Sequence, residues 1–263
     1  MSENLIVRRD GPVLHLINNN EAARNALSVG YCEGMVAELE KVSDDSATAA
    51  VVLSGAEGYF CSGGNVNALQ TRAAMSMDQR KESINLLHDV IRAILSCSCP
   101  VIAAVEGGAA GAGASLALAC DLIIAGDAAY FSLAYVNIGL TPDGGATALL
   151  SQIAPRQLVN ELCMFGDRMP VSRLFELGAV NQVVGPNQVL KTAQRWGEGL
   201  NSKGPETLRV IKSLTRSARQ NPINDQLETE ATAMATAQGA PESAEGIAAF
   251  LKKRKPDFTK FRR

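Results

Sequence analysis

Aromatic side chains are scarce in this chain: 5% of 263 residues, with a single tryptophan. A core short of rings reaches its density by close backbone approach, and plentiful Ala with 23 glycines suits that. Histidine is nearly absent, at two residues, and the six cysteines include no CxxC pair, so the chain carries no metal-ligand spacing of the zinc type. Cysteine in apolar company, as in LALACDLII (116–124), reads as a reduced core residue, which fits a reducing compartment. Charge of one sign is also missing. The net charge is −2, and no basic field exists to attract a nucleic acid or an anionic membrane. The longest apolar run, Val101 to Ile124, is interrupted by Glu106, Asp121 and glycines, which excludes a membrane span. MSENLIVRRDGPV at the start contains no apolar segment of a secretion signal, and a cytoplasmic protein is expected.

What is present suits a globular enzyme-sized chain: 46% hydrophobic and 20% charged residues, enough for one large domain or a domain with an appendage. LIVRRDGPVLHLI (5–17) predicts two short strands around Asp10-Gly11, with His15 half-exposed in the second. Residues 28–41 predict a helix, AAVVLSG (49–55) a buried strand, and YFCSGGNVNAL (59–69) a glycine turn entering a helix. Ile84, Leu87, Ile91 and Ile94 recur at helical spacing within 82–95, and Pro100 ends that unit. VIAAVEG (101–107) is a strand, GGAAGAGASLALAC (107–120) a second glycine turn entering a helix, and DLIIAG (121–126) another strand. AYFSL (129–133) and VNQVV (180–184) read as short strands, and 147–165 as helix. From 187 onward only helices are predicted: 187–200, 205–219, 223–237 and 241–252. Alternating strands and helices argue for an α/β fold, with a core over 1–200 and a helical C-terminal region over 201–263. The closing KKRKPDFTKFRR reads as a solvated basic end.

Three stretches invite a functional reading. The two glycine turns each lead into a helix, where free backbone N–H groups can be approached closely. They serve packing, a phosphate cradle, or an oxyanion hole for a carbonyl; the P-loop ending and the dinucleotide spacing are both missing. The third stretch is GLTPDGGAT (139–147), where Asp143 stands between a proline and two glycines. By itself Pro-Asp-Gly is turn chemistry.

RNALS (24–28), YFCSGGNVNAL (59–69), PVIAAVEGGAAGAGASLALACDLIIAGDAAYFSL (100–133) and GLTPDGGAT (139–147) together resemble the enoyl-CoA hydratase/isomerase, or crotonase, superfamily. The resemblance spans nearly the whole chain. It implies a spiral of ββα units, a helical C-terminal region that builds a homotrimer or dimer of trimers, and an acyl-CoA substrate, with coenzyme A entering only as part of that substrate and no permanently bound cofactor or metal. By the same resemblance the backbone N–H groups of Gly64 and Ala112 form the oxyanion hole, alanine standing where the family turn usually has glycine. CoA is expected along Ala22, Arg24, Ser62, Asn65 and Val66, and the acyl end against Gly108, Ala110, Ser115, Tyr135 and Leu140. Arg24 has its own rationale, since a guanidinium suits a phosphate or stacks on an adenine. The basic run Lys252–Lys255 is a further candidate for a CoA phosphate. The acyl pocket is expected to take shape from Ala134, Tyr135, Leu140 and a helix over 68–82.

The chain departs from the family pattern where chemistry is concerned. Hydratases of the family carry two glutamates, and this chain has Ser115 and Tyr135 at those positions, neither a general base near neutral pH. Asp143, eight residues past Tyr135, matches the working aspartate of dienoyl-CoA isomerases, ring-epoxide isomerases and 4-chlorobenzoyl-CoA dehalogenases of the superfamily. One carboxylate beside an oxyanion hole suffices to move a double bond, so isomerisation is expected over simple hydration. His88, on the apolar side of its helix, is either a satisfied core histidine or a second catalytic group matching the water-activating histidine of the dehalogenase branch. Hydrolase, dehalogenase, ring-isomerase or ring-opening chemistry on an aromatic acyl-CoA is therefore the first alternative, and a non-catalytic CoA-ester binder the second. An RNA-binding role is disfavoured by the acidic balance and the scarcity of aromatics.

Overall fold

The computed structural model describes residues 4–262. Nine strands run in chain order among them: β1 (Leu5–Asp10), β2 (Val13–Asn18), β3 (Ala50–Gly55), β4 (Val101–Val105), β5 (Gly108–Ala110), β6 (Leu122–Gly126), β7 (Tyr130–Ser132), β8 (Met169–Pro170) and β9 (Gln182–Val184). The helices are α1 (Val29–Asp44), α2 (Val66–Arg72), α3 (Met77–Ser96), α4 (Ala112–Ala119), α5 (Ala146–Ser151), α6 (Arg156–Phe165), α7 (Val171–Glu176), α8 (Val189–Asn201), α9 (Pro205–Ser217), α10 (Ile223–Gln238) and α11 (Pro241–Leu251).

The strands form two sheets. One has the order β1-β2-β3-β4-β6-β9, with β1 antiparallel to β2 and every other pair parallel; the other has the order β5-β7-β8. Central strands β3 and β4 are covered on both faces, which is why AVVLSG and VIAAV are continuous apolar runs. Their side chains alternate between two cores. Val51, Leu53, Val101, Ala103 and Val105 join the large core under α1, α3 and α4, while Val52, Ile102, Ala104 and Ile124 face Val189 and Ala193 of α8.

Several expectations are corrected. His15 is buried rather than half-exposed, because β2 lies between β1 and β3 and is covered by α8; its Nε2 sits 2.7 Å from Gln194 Oε1, and burial pushes the imidazole pKa down. The helix expected over 68–82 is two, α2 and α3, because Ser76 and Gln79 form a reciprocal capping box that starts a new helix at Met77. The helix expected over 147–165 is likewise broken, with Pro155 at the N-cap of α6. Within GGAAGAG the chain first forms β5, a strand of the second sheet, before α4 begins. Strand β8 and helix α7 had no counterpart in the sequence reading. The basic end is solvated as expected, with Lys252, Lys253 and Lys255 exposed, and it is also anchored: Glu245 pairs with Arg254 and Lys260, and Arg262 donates to the carbonyls of Thr48, Leu200 and Lys203.

Candidate active site

The two glycine turns are laced together. Cys61 N–H donates to Gly108 O at 3.1 Å and Ala110 N–H to Cys61 O at 2.9 Å, so the first turn runs alongside β5. Gly63 has φ +97, and a Cβ there would lie 2.7 Å from Ala110 O and 3.3 Å from Ala112 N, so only glycine allows this approach. The second turn is held by Gly111 N–H donating to Ser132 O of β7 at 2.8 Å. Both expected oxyanion donors are left without acceptors: neither the Gly64 nor the Ala112 N–H has a protein acceptor among the described residues. Ala112 is the first residue of α4, where the helix end leaves N–H groups open and its dipole favours negative charge.

Asp143 is half-buried at the start of the loop that enters α5. Tyr135 donates its phenolic O–H to Asp143 Oδ1 at 2.7 Å, and Ser115, fully buried on α4, donates its Oγ–H to the Asp143 carbonyl at 3.0 Å. The following Gly144, at φ +61, is pressed against Ser115 and Leu87; a Cβ there would lie 2.8 Å from Ser115 Cβ and 3.0 Å from Leu87 Cδ2. Burial, then the charge of Asp143 and the hydrogen bond to it, push the Tyr135 phenol well above its ordinary range, so it remains a donor. The ring also reaches the second glycine turn: Tyr135 OH is 3.9 Å from where a Cβ on Gly111 would sit. Asp143, Tyr135, Ser115 and the turn ahead of Ala112 thus occupy one neighbourhood.

His88 is half-buried on α3 and makes no hydrogen bond among the described residues; the Asp143 carboxylate takes its hydrogen bond from Tyr135 instead.

The residues expected along CoA fall on two adjacent segments. Ser62 N–H donates to Arg24 O at 3.0 Å and Ser62 Oγ–H to Ala23 O at 2.8 Å, which brings Ala22 and Arg24 beside Ser62, Asn65 and Val66. Ala22, Arg24, Asn65 and Val66 are exposed, and Asn65 caps α2 through Asn67 N–H. Gly108 is buried, and a Cβ on it would meet Tyr59 and Tyr130, whose hydroxyls lie 2.7 Å apart. The Arg24 guanidinium stands 5.9 Å over the Tyr59 ring and Arg168 stands 4.5 Å over that of Tyr130. Ala110 is half-buried and Leu140 exposed near the Tyr135 turn. Among the described residues no group of three or more His, Cys, Asp or Glu side chains is arranged to hold a metal ion, and no helix is long and apolar enough to cross a membrane.

The Tyr135–Asp143 and Ser115–Asp143 links, and the Arg168–Tyr130 contact, escaped the sequence reading. The eight-residue spacing of Tyr135 and Asp143 around Gly139 was a usable signal, since a left-handed glycine (φ +72) folds the two ends back on each other. Arg168 lies outside every motif.

Comparison with known proteins places the chain in a family. A family model described as enoyl-CoA hydratase/isomerase matches residues 11–261. The chain is 31% identical to 2,3-dehydroadipyl-CoA hydratase of Escherichia coli (strain K12), covering 98% of this chain and 99% of that one. It is 33% identical to 1,2-epoxyphenylacetyl-CoA isomerase of the same organism, over 84% and 85% of the two chains. Among solved structures, an enoyl-CoA hydratase from Polaromonas sp. JS666 superposes with a TM-score of 0.93 at 38% identity, covering 96% of this chain and 98% of that one. The chain belongs to the enoyl-CoA hydratase/isomerase family, with the crotonase fold, and is an enzyme acting on an acyl-CoA thioester. Hydratases and isomerases both occur among these relatives.

Proposed function

We propose that this enzyme moves a carbon–carbon double bond in an acyl-CoA thioester, with Asp143 as its single acid/base group and the Gly64 and Ala112 N–H groups as the oxyanion hole. On a 3-enoyl-CoA, Asp143 takes a proton from C2, the carbon between the thioester and the double bond. The electron pair delocalises onto the thioester oxygen, where two N–H donors and the N-terminal end of α4 stabilise it. The protonated Asp143 then delivers the proton to C4, and the double bond ends between C2 and C3. Proton and electrons balance without a further reactant, and no permanently bound cofactor or metal takes part. CoA lies along Ala22, Arg24, Ser62, Asn65 and Val66 in this reading, with the acyl chain toward Ala110, Ser115, Tyr135 and Leu140.

The observation that supports this reading is the lone carboxylate. At the two positions where family hydratases carry glutamates stand Ser115 and Tyr135, both hydrogen-bonded to Asp143. The test is conversion of a 3-enoyl-CoA to its 2-enoyl isomer by wild type and Asp143→Asn, with 2-enoyl hydration recorded in the same samples. The expected result is isomerisation that falls by about 100- to 10,000-fold in the variant, retained CoA-ester binding and negligible hydration. Full turnover by Asp143→Asn, or appreciable hydration by wild type, would defeat the reading.

A second reading keeps the same machinery and places a ring-bearing acyl group in the site. It is favoured by the 33% identity to 1,2-epoxyphenylacetyl-CoA isomerase. Failure of every straight-chain 3-enoyl-CoA with both proteins would turn the choice toward it. A covalent hydrolase route through Asp143 and His88 has less support, because His88 makes no hydrogen bond to Asp143.

We further propose a homotrimer or dimer of trimers. The supporting observation is the apolar surface of the C-terminal helices: Ile223, Leu227 and Met234 on α10, and Ile247, Phe250 and Leu251 on α11, are all exposed in the single chain. A monomeric mass by light scattering at micromolar concentration would refute this assembly. A cytoplasmic location completes the proposal, and fractionation of the source cells tests it.

A further inference from the structure

We infer that Tyr135 and Ser115 are positioning residues that together hold Asp143, with Tyr135 occupying Oδ1 so that the proton travels on Oδ2. The inference rests on the reading of Asp143 as the proton carrier and deepens it. It concerns what became of the two positions at which hydratases of the family keep their glutamates.

Both hydroxyls reach the same residue, within hydrogen-bond distance of Asp143. Tyr135 O–H is directed at Asp143 Oδ1 at 2.7 Å, and Ser115 Oγ–H at the Asp143 carbonyl at 3.0 Å. One grips the side chain and the other the backbone. Asp143 needs both grips, because it precedes two consecutive glycines with positive φ, Gly144 at +61 and Gly145 at +76. Such a segment has few contacts of its own to fix a carboxylate. Leu87 and Ser115 complete the clamp by closing on Gly144.

The chemistry follows from the hydrogen bonding. Tyr135 stays protonated, so it neither accepts the substrate proton nor activates water. With Oδ1 taken, Oδ2 is the carboxylate oxygen without a hydrogen bond among the described residues, and it is the one open to the substrate. The same oxygen then takes the proton at C2 and returns it at C4. Because Ser115 and Tyr135 donate to Asp143, neither stands ready to raise water to a nucleophile. The pair of substitutions that removes the hydratase glutamates also builds the support for the replacement carboxylate.

The experiment compares wild type, Tyr135→Phe, Asp143→Asn and the double variant on 3-hexenoyl-CoA, with folding checked by circular dichroism. Tyr135→Phe keeps the ring and removes only the donor. The expected result is a fall in kcat of about 10- to 100-fold with KM changed by less than about threefold, the size of effect that misplacing a reacting group produces. Tyr135→Phe added to Asp143→Asn should cost nothing more, since a residue that works through another loses its effect when that other is gone. With substrate deuterated at C2, the share of label recovered at C4 should also fall in Tyr135→Phe, because a carboxylate free to turn exchanges with solvent. Wild-type kcat in Tyr135→Phe overturns the inference while leaving Asp143 as the base. A double variant tenfold below Asp143→Asn overturns it too, by showing that Tyr135 acts on its own. Activity retained in Asp143→Asn removes the underlying reading instead.

Discussion

The α/β core and the three C-terminal helices are held by different physics. In the core, Leu53, Ile94, Ile102 and Leu116 are shut away from water, and successive residues of β3 and β4 fill two separate apolar layers. Helix α9 buries no residue, α10 only Gln226, and α11 only Glu242 and Ala249. What fixes these helices is directional. Lys212 of α9 pairs with Asp121 at 2.7 Å and donates to the carbonyls of Ile94 and Cys99 where α3 ends. Glu242 of α11 accepts from the N–H groups of Glu206 and Thr207 and so caps α9 from outside. Apolar burial dominates the core, whereas polar anchors hold the C-terminal helices, whose large apolar side chains Ile223, Leu227, Ile247 and Phe250 stay exposed.

Four changes test that contrast, in descending order of expected effect. Ile102→Ala empties a site between the sheet and α8 and is expected to lower unfolding free energy by about 2–5 kcal/mol in urea titrations. A loss under about 1 kcal/mol would mean that the second layer contributes little. Lys212→Met keeps the stem and removes the charge, leaving the partly exposed Asp121 carboxylate with its hydrogen bond from the Val101 N–H and no salt-bridge partner. A cost of about 1 kcal/mol is expected, with hydrogen exchange rising first in 205–217. Uniform exchange across core and helices would erase the distinction between the two regions. Leu227→Lys, on the outward face of α10, is expected to leave the fold intact by circular dichroism and to lower the solution mass; an unchanged mass would point assembly elsewhere.

The smallest effect concerns the chain end. Arg254, the Asp257 N–H and Lys260 hold the Glu245 carboxyl well below the usual carboxylate range. A folded pKa below the unfolded one contributes stability above the unfolded value, about 4.3, and loses it as pH falls through the folded value. The tail should therefore stay protected from carboxypeptidase at neutral and mildly acid pH. Glu245→Gln should expose it at neutral pH with little change in global stability, and equal digestion of both proteins would show that Arg262 alone is sufficient.

Much of the fold was legible because local signals agreed. Continuous apolar runs marked β3 and β4, and Pro205 and Pro241 opened α9 and α11 at the first helical position. Brief elements escaped where no pattern can accumulate: β8 has two residues and α7 six. His15 was misread because a strand residue's exposure depends on what covers the sheet, and α8 arrives 179 residues later to supply Gln194. The sequence offered the candidate site as a set of positions. Gly64, Ala112, Ser115, Tyr135 and Asp143 could all be named from motifs, but which hydroxyl bonds which oxygen could not.

The sequence by itself determined that two glycine turns feed two helices and that a carboxylate, Asp143, stands between a proline and two glycines; its likeness to the family pattern is what led Ser115 and Tyr135 to be expected at the hydratase glutamate positions. The turns are matters of residue identity and local conformation, which backbone sterics and turn chemistry dictate. The tertiary structure alone decided that Gly63 meets Ala112 and that both hydroxyls turn toward Asp143. Hydrogen bonds depend on tenths of an ångström and on direction. Here those distances join α4, the turn ending at Gly139 and the loop into α5, which touch only after the two sheets and their helices have packed.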